Sequence, residues 1–389
     1  MVNQGEEMIR KGLRIFICCS VSVGLLIAIP GGASVGREGI PQASADGWVV
    51  GDPDDAGFDQ AELERLATDI QLGSFPNTHA VLVEHDGLLV YERYFPGTDE
   101  RWGEFLGNRL IGPEDLHDVR SISKSVTSAL LGIALESEFE SAVEKPISEY
   151  LPSLALGEAQ RSITLHHALT MTAGLQWNEM TVPYTDPTND EIRLSDAVDP
   201  AQYVMTRPLE FPVGSTWYYN GGLSQVLASV IYTLTGQRLD DYAQVHLFEP
   251  LGITQFEWLG PDAWTPDNPS AMSGLRLRAR DLAKIGSVFL HGGRWKGQQV
   301  VPEAWVESSM TRFVEEIGDW SDGGIWGYGY QWWVGDLPDG ERVVAGVGNG
   351  NQRLFILPEE RIVVTVLAGE YNLFEGHSER ILDRVLAAR

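Results

Sequence analysis

The placement of strand-like and helix-like runs constrains this fold most: β patterning stands at both ends of the chain and helical patterning fills the middle. Ala80-Val81-Leu82-Val83 and Leu88-Leu89-Val90-Tyr91 flank His85-Asp86-Gly87, where Asp-Gly supplies the positive-φ turn of a hairpin. Strand patterning returns after Trp326, at Tyr328 to Val334, Arg342 to Val347, Arg353 to Leu357 and Ile362 to Val366. Helices are expected over Phe58 to Leu72, where Leu63, Leu66 and Ile70 share a face, and over Ser121 to Glu136. Further helical stretches read at Leu165 to Thr170, Leu223 to Leu234, Arg280 to Leu290, Pro302 to Ser309 and Ser378 to Ala388. Strands so far apart in sequence share one sheet only if the two ends of the chain come together. The expected architecture is therefore α/β (α+β), an antiparallel sheet flanked by helices, in a domain over 46–389 with a mostly helical insertion over about 138–320. A junction of that kind is a usual place for a pocket.

The first 33 residues read as an export segment. Arg10, Lys11 and Arg14 precede an apolar run from Ile15 to Ile29, followed by Pro30, Gly31, Gly32 and Ala33, the order of a secretory signal peptide. A second candidate cut follows Ala43-Ser44-Ala45, and an uncleaved N-terminal anchor is the alternative. The expected location is periplasmic or extracellular. Both cysteines, Cys18 and Cys19, lie inside the run, which leaves the mature part without disulfides, a cysteine nucleophile or thiolate ligands for zinc.

Lys+Arg 28 against Asp+Glu 55 gives a net charge of −27, so a phosphate backbone would be repelled and no nucleic-acid partner is expected. No G-x-G-x-x-G follows a strand and opens a helix, and Gly222-Leu223-Ser224-Gln225-Val226 lacks the last glycine of G-x-S-x-G. Neither a cofactor nor a metal is implied. The adjacent His166 and His167 point about 100° apart on a helix, which suits packing or capping better than ligation.

Ser121-Ile122-Ser123-Lys124 fits S-x-x-K. If a helix begins at Ser121, Lys124 lies one turn along with its amine beside the hydroxyl, positioned to take its proton. The helix start would offer a backbone N–H to an oxyanion. Taken alone the tetrapeptide is weak, since a serine there can equally be an N-cap.

Its surroundings carry more. His117 through Ser128, followed by Leu130-Leu131-Gly132-Ile133-Ala134, resembles the nucleophile helix of serine hydrolases related to class C β-lactamases and penicillin-binding proteins. Leu165 to Leu175 resembles the leucine, threonine and glycine-leucine segment of that family, and Pro212 to Asn220 its Y-x-N box, with Tyr218 and Asn220 in the key places. Arg280-Asp281-Leu282 and Tyr328 to Trp333 also match, and the resemblance runs from about Gly57 to the C-terminus. It implies a β-lactamase-like fold, Ser121 as nucleophile, Lys124 and Tyr218 as proton carriers, and Asn220 as a hydrogen-bonding residue near substrate and lysine.

One box departs from that pattern. Where the family's lactamases and DD-peptidases carry Lys or His, then Ser or Thr, then Gly, this chain reads Gly348-Asn349-Gly350-Asn351, and no lysine follows Lys296. Recognition of a substrate carboxylate then lacks a charge-assisted contact of about 1.5–3 kcal/mol, unless Arg342 or Arg353 reaches in from another angle. The glycine-rich backbone still offers a second oxyanion donor, with the N–H of Asn351 the favoured candidate. The aromatics Trp320, Trp326, Tyr328, Tyr330, Trp332 and Trp333 read as core more readily than as an acyl pocket.

Together these features give an exported serine hydrolase acting on a small ester or amide through an acyl-enzyme on Ser121, closest in character to the carboxylesterases of the fold. The alternatives are a β-lactamase or D-alanyl peptidase or amidase and, from another class, a catalytically silent cell-wall-binding or sensor module.

Overall fold

In the computed structural model, residues 38–262, 264, 268–317, 325–373 and 376–389 are described. The expected export segment and Trp320 lie outside them. Among the described residues no helix is long and apolar enough to cross a membrane.

The two ends of the chain do build one sheet. Its eight strands are β1 (Val49–Val50), β2 (Thr78–His85), β3 (Leu88–Tyr94), β4 (Ile325–Tyr328), β5 (Trp333–Asp336), β6 (Arg342–Gly348), β7 (Gln352–Leu357) and β8 (Ile362–Ala368). Their order is β1-β3-β2-β8-β7-β6-β5-β4, antiparallel throughout except for the short β1–β3 pair. The join between the N- and C-terminal parts is β2 against β8, with Val81 opposite Val366 and Val83 opposite Val364. At the predicted hairpin, Asp86 and Gly87 both take positive φ (53° and 88°).

Both faces of the sheet are covered, and the two-residue period of each strand divides the core in two. On one side Val81, Val83, Val364 and Val366 pack with α1 (Gln60–Gln71) and the C-terminal helix through Leu63, Leu66, Ile381 and Val385. On the other, Ala80, Leu82, Leu354, Ile356 and Val363 meet α2 (Ile122–Leu135), α3 (Gly221–Thr235) and α4 (Ala279–Leu290) in the larger core. Twelve of the fourteen α2 residues are buried, so this helix is the hub of the fold rather than an amphipathic cover. Trp305 packs so tightly on α2 that a Cβ at Gly132 would fall 2.3 Å from its ring. The C-terminal helix, α5, spans Ser378–Leu386.

Two sequence expectations change. The single strand expected over Tyr328 to Val334 is two antiparallel strands, β4 and β5, because Gln331 turns the chain with a φ of 64° and fixes its amide on Ala168 O, Leu169 O and Ser224 Oγ. A two-stranded ribbon, Pro96–Arg101 with Glu104–Leu110, was not anticipated; its charged composition hides the strand pattern. At the N-terminus, Arg280 holds Gln42 O, Ser44 Oγ and Asp46, so a cut after Ala45 would sever two of those contacts.

Candidate active site

The chain enters α2 through a forced turn. Arg120 takes a left-handed φ of 50°, held by ion pairs to Glu100 and Asp118 at 3.1 Å each and by packing of its guanidinium 4.6 Å above the Tyr371 ring. Ser121 follows at the N-cap position with helical φ and ψ (−64°, −8°), and its side chain caps nothing. The hydroxyl is therefore committed elsewhere. Lys124, one turn on and 1% exposed, has Nζ 2.9 Å from Ser121 Oγ and 2.8 Å from Met272 O, to which it donates, and 5.0 Å above the Tyr219 ring. The S-x-x-K spacing thus produces the contact expected of it.

The tyrosine is not the expected one. Tyr219 lines a cavity with Ser121 and has Lys124 Nζ 5.0 Å over its ring, whereas Tyr218 lays its ring against Phe211 at 5.9 Å. Extended backbone throws successive side chains to opposite sides, and Asn220 is extended (φ −143°, ψ 97°). Trp217 and Tyr219 accordingly lie together (6.2 Å between rings), both near Trp333, while Tyr218 points away. Burial, followed by the charge of Glu179, holds the Tyr219 phenol well above its ordinary range, so it rests protonated. Asn220 is buried at the N-cap of α3 and lines neither cavity at Ser121; its Oδ1 has no partner among the described residues.

Ser121 stands where two cavities meet. One is walled by Tyr219, Trp333 and the turn Gly348-Asn349-Gly350-Asn351, with Arg353 and Asn372 at its rim. The other, about 440 Å³, is walled by Trp102, Arg120, Tyr184, Glu191 and again Asn349. The turn reaches the serine because β6 ends against the segment leading into α2: a Cβ at Gly348 would lie 2.4 Å from Val119 O. Gly350 and Asn351 both take positive φ (89° and 65°). The Asn351 side chain serves the start of α5, accepting from His377 N at 3.3 Å, whereas Asn349 exchanges hydrogen bonds with Asn372 and borders both cavities. Of the two arginines considered as a carboxylate anchor, Arg342 binds Met310 O and lies outside both cavities. Arg353 lines the first but spends its charge on Glu379 at 2.8 Å and on two backbone carbonyls. His167 closes a capping box with Thr164, and His166 bonds the Tyr330 hydroxyl at 3.0 Å, the packing and capping roles expected of them. Trp333 lines the site, while Trp332 and Tyr328 belong to the core.

Two acids escaped the sequence reading. Glu179, fully buried, accepts from Trp177 Nε1 (2.8 Å), Tyr184 Oη (2.9 Å) and the N–H of Gly221 at the start of α3 (2.7 Å). Glu191 is a close neighbour of Glu179 and accepts from Ser273 Oγ at 2.9 Å. Burial and the neighbouring Glu179 push its carboxyl up to about 7, against the pull of Lys124. Nothing local in the sequence marks either residue. The Trp217-Tyr218-Tyr219 run, read at period two, would have flagged Tyr219.

The β-lactamase family model matches residues 77–388. A 6-aminohexanoate-dimer hydrolase from Paenarthrobacter ureafaciens is 28% identical over 273 residues, covering 66% of this chain and 67% of its own. A lovastatin esterase from Penicillium rubens is 29% identical over 145 residues, 34% of this chain and 32% of its own. Among solved structures, a family VIII carboxylesterase superposes with a TM-score of 0.65 at 12% identity, covering 85% of this chain and 97% of that one. Because the family model runs across most of the chain and the fold neighbours share its architecture, the protein belongs to the β-lactamase family of serine hydrolases.

Proposed function

We propose that this hydrolase is an esterase that works through an acyl-enzyme on Ser121. The observation that carries the reading is the commitment of the Ser121 hydroxyl to Lys124 Nζ at the junction of two cavities, one of them walled by Tyr219, where an N-cap role is absent. Lys124, acting as the free amine, takes the serine proton as Oγ bonds to the ester carbonyl carbon, and the carbonyl oxygen becomes an oxyanion. Backbone N–H groups receive that charge: one from Ser121, which has no protein acceptor among the described residues, and one from the Gly348–Asn351 turn, where Asn349 borders both cavities. Collapse breaks the carbon–oxygen bond to the alcohol, which leaves with the proton of Tyr219, a group suited to donation because it rests as the phenol. Water then attacks the acyl carbon and the protons return by the same path.

Preference for esters over carboxylate-bearing substrates rests on the site's charge. The turn at Gly348 carries no cation, Arg353 is already paired with Glu379, and the protein's net charge of −27 opposes an approaching anion. Amide cleavage by the same groups is the nearest alternative, and one relative is a 6-aminohexanoate-dimer hydrolase. The N-terminal run of Ile15 to Ile29 supports export. Steady-state comparison of p-nitrophenyl esters with nitrocefin and D-alanyl peptides tests the preference. The esters should show the highest kcat/KM, and a higher value for nitrocefin or a D-alanyl peptide than for every ester refutes it.

A further inference from the structure

Four residues before Ser121, three buried side chains from three separate strands converge: His79 of β2, Asp99 of the Pro96–Arg101 strand and His117 of the His117–Asp118 strand. His79 Nδ1 lies 2.8 Å from His117 Nε2, and Asp99 Oδ1 lies 3.6 Å from that same Nε2. Nothing in the ester chemistry uses them.

The hydrogens on these rings can be counted. His117 Nδ1 is 2.9 Å from the carbonyl of Asp118, which can only accept, so Nδ1 carries a hydrogen. His79 Nε2 is 3.2 Å from Asn77 Oδ1. The Asn77 amide is oriented by Thr98, whose N–H donates to Oδ1 at 2.8 Å and whose carbonyl accepts from Nδ2 at 2.9 Å. Asn77 Oδ1 is therefore an acceptor, and His79 Nε2 carries a hydrogen as well. In neutral imidazoles the two inner nitrogens are then both bare, and two lone pairs face each other at 2.8 Å beside a carboxylate oxygen. A cation must separate them. A single bridging proton would engage only the two nitrogens, whereas the Asp99 oxygen 3.6 Å from one of them makes a third donor facing the same point.

We propose that His79 Nδ1, His117 Nε2 and Asp99 Oδ1 bind one divalent transition-metal ion, zinc by its donor set, which ties three strands together just ahead of the nucleophile. Ligands about 2.0–2.1 Å from zinc at tetrahedral angles lie about 3.3 Å apart, a spacing bracketed by the 2.8 and 3.6 Å edges seen here. The outer contacts are those a metal-bound histidine requires. Each ring gives its remote N–H to an oxygen, fixing the tautomer that presents the lone pair inward. Asp99 is oriented in the same manner, its Oδ2 by Arg109 at 3.1 Å and its Oδ1 by the Tyr371 hydroxyl at 3.3 Å and Glu100 N at 2.9 Å. The ligands are separated in sequence by 20 and 18 residues (99 − 79 and 117 − 99), so no ligand spacing announces the site. Three protein ligands leave the fourth position to a water, and the ion braces the strand that precedes Arg120 without touching a reacting atom.

The test is metal content and spectroscopy, independent of activity. Full-length protein produced with zinc in the medium and dialysed against metal-free buffer should hold roughly one zinc per chain by mass spectrometry, and cobalt-grown protein should show the intense visible bands of a four-coordinate ion. His79→Gln should lose both, and Arg109→Gln, which leaves the three ligands in place, should weaken zinc binding by about 10–100-fold. Sub-stoichiometric zinc in the wild type, or His79→Gln protein holding as much zinc as wild type, overturns the proposal. An imidazole NMR spectrum showing a proton held between the two inner nitrogens overturns it also.

Discussion

Tyr219→Phe and Tyr218→Phe form a matched pair whose outcomes separate the structural assignment from the motif. Removing the Tyr219 hydroxyl deletes the donor assigned to the leaving alcohol, while its ring stays packed between Trp217 and Trp333. Loss of an acid–base group costs about 10²–10⁴ in rate, or about 2.7–5.4 kcal/mol in the barrier. Only a hydroxyl is removed and the packed ring is kept, so the variant remains folded. The Tyr218 hydroxyl borders neither cavity and its ring only packs on Phe211, so Tyr218→Phe should change stability by no more than about 0.5 kcal/mol and leave kcat near wild type. Stopped-flow hydrolysis of a p-nitrophenyl ester, with acylation and deacylation resolved, reads both. A crippled Tyr218→Phe beside a competent Tyr219→Phe would refute the assignment and restore the tyrosine that the Y-x-N spacing points to.

Lys124→Met, similar in volume at a site 1% exposed, should lower kcat by a comparable factor, and the Lys124→Met/Tyr219→Phe double variant should lose much less than the product of the single losses. Multiplicative losses would show the two groups acting in independent steps. Away from the site, Glu84 is buried beside the Asp86-Gly87 turn, with Oε1 bound to Gly87 N, and burial pushes its carboxyl from 4.5 up to about 8. Between those values the folded state holds a proton that the unfolded chain has released, so this group's contribution to stability falls as pH rises through the window. Glu84→Gln, which keeps the acceptor for Gly87, should remove that slope and raise Tm most at about pH 9, by differential scanning calorimetry; an equal shift at about pH 4 would contradict it.

How far the sequence could be read depended on whether the signal was local. The Asp86-Gly87 hairpin, the last three strands and the S-x-x-K contact each follow from residues within a turn or two of one another, and the structure has all of them. The Tyr218 expectation differs by one residue because the box specifies spacing but not the side to which an extended segment turns; Trp333, far along the chain, settles that by packing with Trp217 and Tyr219. The broken strand at Gln331 depends on carbonyls of Ala168 and Leu169, more than 160 residues earlier. Glu179, Glu191 and the His79–Asp99–His117 cluster are likewise assembled by topology, and single acids or histidines in polar stretches carry no periodic mark.

The central claim is that Ser121 carries the acyl group, and trapping that intermediate tests it most directly. Wild-type protein mixed with a slowly deacylating p-nitrophenyl ester and quenched in acid should gain the mass of one acyl group. Peptide mapping should place it on Ser121, and Ser121→Ala, folded by circular dichroism, should gain nothing and turn nothing over. An acyl group on any other residue, or undiminished ester turnover by Ser121→Ala, would contradict the account.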